Sequence, residues 1–94
     1  MNNTSVRSII LYFNPQVIDI HQDLITSVVK KLRHGKFRIH SNINLQDTFE
    51  ISETSLREAE VAVTFGGDGT VLSFFRSYFP ITPPIVSVNL GSLG

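Results

Sequence analysis

Four short apolar runs, separated by longer segments of helical periodicity, constrain the fold of this chain more than any other feature. Residues 8–13 (SIILYF) and 60–65 (EVAVTF) are almost uninterrupted in their hydrophobicity, as strands buried on both faces of a sheet are. Residues 36–40 (KFRIH), extendable to 43, alternate like a strand with one polar face, and residues 85–88 (IVSV) form the fourth run. Between the first two runs, residues 17–33 place Val17, Ile20, Leu24 and Val28 beside Ile18, Ile25, Val29 and Leu32 in a broad helical stripe. Lys30, Lys31 and Arg33 in its last turn complement the helix dipole, and Gly35 follows at the position that commonly ends a helix. Residues 52–59 predict a short helix opened by Ser52 with Glu53 in its first turn. Residues 70–79 predict another, with Val71, Phe74, Phe75 and Tyr78 or Phe79 on one face, ended by Pro80 and the Pro83-Pro84 pair. Asn14-Pro15 marks a turn, and residues 41–51 read as a loop. Strands and helices alternating at this spacing predict an α/β fold, a Rossmann-like parallel sheet with flanking helices, in a single domain over residues 1–94.

The totals narrow the function classes. Lys plus Arg and Asp plus Glu both number 8, so no basic field points to nucleic acid or to an anionic membrane surface. Cysteine is absent, which excludes a disulfide framework and thiolate metal sites. No apolar run reaches membrane-spanning length and the N-terminus carries no signal-like segment, so the expected location is cytoplasmic. His21, His34 and His40 show no metal-ligand spacing and read as surface residues. Arg76, two turns beyond the glycine stretch described next, reads as a surface arginine, and Phe74, Phe75 and Phe79 read as core.

Two glycine-bearing segments, Gly66-Gly67-Asp68-Gly69-Thr70 and Asn89-Leu90-Gly91-Ser92-Leu93-Gly94, each follow a predicted strand directly. In a parallel sheet both therefore fall at the carboxyl edge, where such folds bind ligands. Neither segment is a dinucleotide fingerprint or a Walker loop. The carboxylate in the first segment is what distinguishes it. Asp68 has a structural reading, as the cap of the helix that follows, with the glycines supplying tight-turn dihedrals. It also has a chemical one. An ionised Asp is a poor passive neighbour for phosphate, but phosphoryl transfer needs a carboxylate that accepts or orients the proton of an attacking hydroxyl. Thr70 is open between two roles, ligation through its hydroxyl and capping of the helix.

The run VTFGGDGTVL followed by PPIVSVNLGSLG resembles the NAD kinase family. The resemblance implies ATP-dependent phosphorylation of the adenosine ribose 2′-hydroxyl of NAD to give NADP, with ATP, NAD and a divalent metal such as Mg²⁺ as the small-molecule partners; some prokaryotic members of the family use polyphosphate as donor instead, and no residue here selects between the two. It implies that Asp68 is the proton acceptor, that Gly66, Gly67, Gly69 and Thr70 line the nucleotide phosphates, and that Asn89 and Gly91 border NAD. GGDG by itself also occurs in lipid kinases and phosphofructokinases, so the spacing from GGDG through Pro83-Pro84 to NLGSLG carries the resemblance. Family members continue beyond the second glycine segment into a large β-rich domain that completes the NAD pocket and supports homo-oligomers. On that basis the 94 residues are expected to be the N-terminal α/β portion without the β-rich domain. Two alternatives stand beside this reading: a catalytically silent or partner-binding fragment, and a lipid-kinase-like domain.

Overall fold

The computed structural model describes residues 7–90. Five strands, β1 (Ser8–Phe13), β2 (Arg38–Ser41), β3 (Phe49–Glu50), β4 (Val61–Gly66) and β5 (Ile85–Asn89), form one sheet in the order β3-β2-β1-β4-β5. Every pairing is parallel. The helices are α1 (Pro15–Ile20), α2 (Gln22–His34), α3 (Glu53–Glu58) and α4 (Asp68–Tyr78). The predicted Rossmann-like α/β architecture is therefore the one observed.

Central strand β1 explains the layering. Its residues alternate between two cores, as strand geometry demands. Ile9, Leu11 and Phe13 join Ile25 of α2, Ile39 and Phe65 on one face, with Val17 and Ile18 of α1 packed against them. Ile10 faces the other way, onto Leu56 of α3, Ala62 and Phe74 of α4. Parallel register carries the pattern across to β4, where Val61, Val63 and Phe65 stand opposite Ile9, Leu11 and Phe13. At the amino edge, Arg7 donates two hydrogen bonds to the Glu60 carboxylate, at 2.7 and 2.9 Å. The guanidinium holds that carboxyl below the usual range.

The structure corrects five details. The helix predicted over 17–33 is two helices, broken at His21 (φ −120°, ψ 37°). His21 still donates to Val17 O at 2.9 Å and accepts from Ile25 N–H at 3.0 Å, so a single residue re-aims the chain. The break leaves Ile20 and Leu24 exposed, while Val17, Ile18, Ile25, Val28, Val29 and Leu32 pack on the sheet. The expected loop 41–51 contains β3, whose two residues pair with His40 and Ser41; so short a run has no readable period. Gly35 caps α2 at an ordinary φ of −79°, and Lys36 takes the left-handed turn at φ 67°. The last helix starts at Asp68, earlier than residue 70, and Gly67 is its cap. Finally, of the three phenylalanines expected in the core only Phe74 is buried. The inward row of α4 is Thr70, Phe74 and half-buried Tyr78, spaced by four, so Phe75 turns outward and Phe79 lies past the helix end.

Other elements follow the sequence closely. Asn14 accepts from Gln16 N–H at 3.0 Å and Pro15 occupies the first helical position, so the turn signal is a helix start. Ser52 opens α3 through a capping box with Ser55, each side chain accepting from the other's backbone N–H, at 3.1 and 2.8 Å.

Phe74 has no exposed surface and meets the Tyr12 ring edge-on at 5.2 Å. Phe74→Ala should cost about 3–5 kcal/mol, most of the stability available to so small a domain. Thermal denaturation followed by circular dichroism is expected to lose its cooperative transition.

Candidate active site

The strand order reverses direction at β1: the chain moves outward through β2 and β3, then returns to β4 on the other side. The segments leaving β1 and β4 therefore diverge, and a cleft of about 890 Å³ opens between them at the carboxyl edge. Asn14, Pro15 and Gln16 form one side, Gly66 to Thr70 the other, and Asn89 and Leu90 the far end. Gly66 stands opposite Asn89 in the β4–β5 register. Asp68 and Asn89 thus share one edge and one cleft, as the two glycine segments led us to expect. Gly91 lies outside the described residues.

Each glycine of the turn has its own reason. Gly66 adopts φ +154°, and a Cβ there would overlap the Thr70 side chain and press on Asn14 Cβ at 3.1 Å. Only glycine lets the two walls of the cleft approach this closely. Gly69 is different: it sits inside α4, where a Cβ would meet nothing within 4 Å. Glycine in a helix is less stable than alanine, so the fold itself gains nothing from Gly69. Its bare backbone, and that of Gly67 before it, face open cleft.

Asp68 occupies the first turn of α4, exposed, where the helix dipole favours a negative charge. Gly67 provides no side-chain cap, and the Asp68 carboxylate makes no hydrogen bond or ion pair among the described residues. The capping reading of Asp68 is not what the structure shows. Thr70 caps nothing either. Its N–H donates to Gly67 O at 3.0 Å, and its hydroxyl is buried without a hydrogen-bond partner among the described residues, as is that of Thr64.

Several lining residues carry no sequence signal. Tyr12 and Ser73 share a hydrogen bond of 2.8 Å between their hydroxyls on the α4 side. Asn42, just past β2, and His21, at the α1–α2 break, also line the cleft. Ser73 comes one turn after the glycines on α4, but Tyr12, His21 and Asn42 lie far along the chain from both glycine motifs, and only the topology brings them here. Arg76 is exposed and outside the cleft, and His34 and His40 lie outside it too. No lysine or arginine lines the cleft among the described residues, so an anion there would be met by main-chain N–H groups and the α4 dipole. No cluster of three or more His, Asp or Glu side chains among these residues is placed to hold a metal ion.

Residues 5–94 match the family model described as ATP-NAD kinase N-terminal domain. The chain belongs to the NAD kinase family. It is 34% identical over 95 residues to an NAD kinase of Clostridium beijerinckii, covering all of this chain and 31% of that protein. It is 36% identical over 76 residues to NAD kinase 2, chloroplastic, of Arabidopsis thaliana, covering 79% of this chain and 8% of that protein. An NAD kinase of Petrotoga mobilis is 29% identical over 86 residues, covering 92% of this chain and 30% of that protein. The chain thus spans less than a third of the length of each of these NAD kinases. No solved structure matches it. Among the described residues, no helix is long and apolar enough to cross a membrane.

The two glycines should respond in opposite directions to alanine. Gly66→Ala is expected to destabilise the domain by about 1–3 kcal/mol through strain and overlap. Gly69→Ala should stabilise it by about 0.4–1 kcal/mol, because the helical backbone tolerates a Cβ and the unfolded chain loses freedom. Urea denaturation of both variants checks this contrast.

Proposed function

We propose that this domain forms the phosphate-binding and proton-accepting wall of an NAD kinase, which transfers a phosphoryl group from ATP to the 2′-hydroxyl of NAD and yields NADP. The observation that carries the reading is an exposed carboxylate, Asp68, unpaired among the described residues, in the first turn of a helix whose glycine-rich start faces the cleft at the strand reversal. Phosphates placed against Gly66, Gly67 and Gly69 meet backbone N–H groups and the positive end of the α4 dipole, with no side chain at Gly67 or Gly69 to hold them off. Thr70 supports the turn from within, packed on Gly66. Asn89, opposite Gly66 in register, and Gly91 beyond it border NAD.

In this reading Asp68 accepts the proton of the ribose 2′-hydroxyl as that oxygen bonds to the γ-phosphorus of ATP and the bond to the β-phosphate oxygen breaks. Aspartate is a weak base, but a loose transition state demands little early deprotonation, so holding the hydroxyl in line is the larger contribution. A divalent metal such as Mg²⁺ would neutralise charge on the phosphates, and no group of three or more His, Asp or Glu among the described residues is placed to hold one. A cytoplasmic location and homo-oligomeric assembly with further polypeptide belong to the same proposal.

A second reading is favoured by the outer surface. Val86 on edge strand β5 is 52% exposed, and Leu72, Phe75 and Phe79 are also exposed. Parallel sheets bury both faces, and apolar surface of this kind belongs against more protein. The 94 residues by themselves then act as a partner-seeking domain, silent in catalysis.

Two measurements test the proposal. In a chimaera in which this domain replaces the matching portion of a longer family member, Asp68→Asn should retain nucleotide binding and lower kcat by roughly 10²–10⁴-fold. Near-normal turnover would remove Asp68 from the chemistry. The 94-residue chain, incubated with NAD, ATP and Mg²⁺ and assayed for NADP, should show negligible turnover; a rate above about 1 s⁻¹, within the ordinary enzyme range, would show that these residues suffice.

A further inference from the structure

The Asn42 side chain closes a two-bond ring with the main chain of Phe13. Phe13 N–H donates to Asn42 Oδ1 at 2.7 Å, and Asn42 Nδ2 donates to Phe13 O at 2.9 Å. Backbone pairing in the β1–β2 register ends at Leu11 and Ser41. The carboxamide therefore stands in for one more step of ladder, made by a side chain. The ring lies at the cleft, with Phe13 buried and Asn42 exposed, so losing it would leave the Phe13 N–H and C=O without their protein partner at the end of the strand.

What lies beyond Phe13 gives the ring its importance. The Phe13 ring stacks on Phe65 at 4.7 Å, 12° from parallel. Asn14 N–H donates to Phe65 O at 3.1 Å, tying the end of β1 to β4 one residue before Gly66. Asn14 Cβ stands 3.1 Å from the position a Gly66 Cβ would occupy. The glycine turn thus leans on Asn14, and Asn14 is placed by a strand end that Asn42 holds from the other side.

We infer that Asn42 is a positioning residue: by fixing the end of β1 against β2 it sets the wall on which Gly66 rests, and through it the placement of Gly67, Asp68 and Gly69. The inference rests on the reading of that turn as the phosphate site. Asn42 acts through the main chain, and its carboxamide accepts from Phe13 N–H with one atom and donates to Phe13 O with another. An aspartate would keep the first bond and set oxygen against oxygen at the second.

The test uses the ¹⁵N-labelled 94-residue chain as wild type, Asn42→Ala, Asn42→Asp and a control, Ser55→Ala, which weakens the capping box of α3 away from the cleft. The chain has only 6 glycines, so the amide signals of Gly66, Gly67 and Gly69 are readily followed. Each form is also titrated with sodium tripolyphosphate and with ATP. Both Asn42 variants should shift the three glycine signals and weaken tripolyphosphate binding roughly tenfold or more, as small misplacements of positioned groups do. Ser55→Ala should lower the melting temperature without either change. Unchanged glycine signals and affinity in the Asn42 variants, with only a lowered melting temperature, would overturn the inference. Should Asn42→Ala not fold, the glycine signals of ligand-free Asn42→Asp decide, because its added charge in the cleft weakens polyanion binding by itself: shifted signals support the inference and unchanged ones overturn it. A wild type that binds neither ligand would instead overturn the phosphate site, and the glycine signals would still decide whether Asn42 places the turn.

Discussion

Everything in this molecule depends on β1 being enclosed on four sides. It pairs with β2 along one edge and β4 along the other, and its side chains enter a core on each face. A strand so placed has no polar face, which is why SIILYF carries almost no polarity. Because its neighbours come from opposite directions of travel, the segments leaving β1 and β4 separate at their carboxyl ends. The cleft is a consequence of that separation and needs no special residue to open it.

What the cleft can hold is set by a shortage of side-chain charge. Among the described residues, Asp68 is its one carboxylate and no lysine or arginine lines it. Binding of a polyanion must then draw on main-chain dipoles, which are strong only where the backbone is bare and the helix start is exposed. Gly67 and Gly69 meet both conditions. The carboxylate beside them is unfavourable for passive binding, which is the reason the proposed function gives it a hydroxyl to steer toward phosphorus.

The buried threonines are the counterpart of this arrangement. Thr70 packs its side chain into the space left by the missing Gly66 Cβ, with its hydroxyl unpartnered among the described residues. An unpaired buried hydroxyl costs stability, so the close approach of α4 to the β4 turn is maintained against a local penalty. Phe74 one turn later, fully buried against Tyr12, supplies the packing that holds the helix in place.

The elements set by local periodicity were legible in the sequence. The runs of β1, β4 and β5 and the Ser52 start of α3 stand where pattern and capping chemistry put them, and the two glycine segments follow strands. Parallel pairing then requires Asp68 and Asn89 to meet at one edge. Contacts between distant segments lay beyond that logic. The break at His21 depends on how two helices fit one sheet face, β3 exists only because β2 offers it an edge, and the outward turn of Phe75 follows from which row of α4 meets β1. Asn42 is the clearest case. Nothing in SNIN singles it out, because its role is a pair of hydrogen bonds to a residue 29 positions away. Periodicity reports which face of a segment is apolar; only the assembled sheet decides which segments stand side by side.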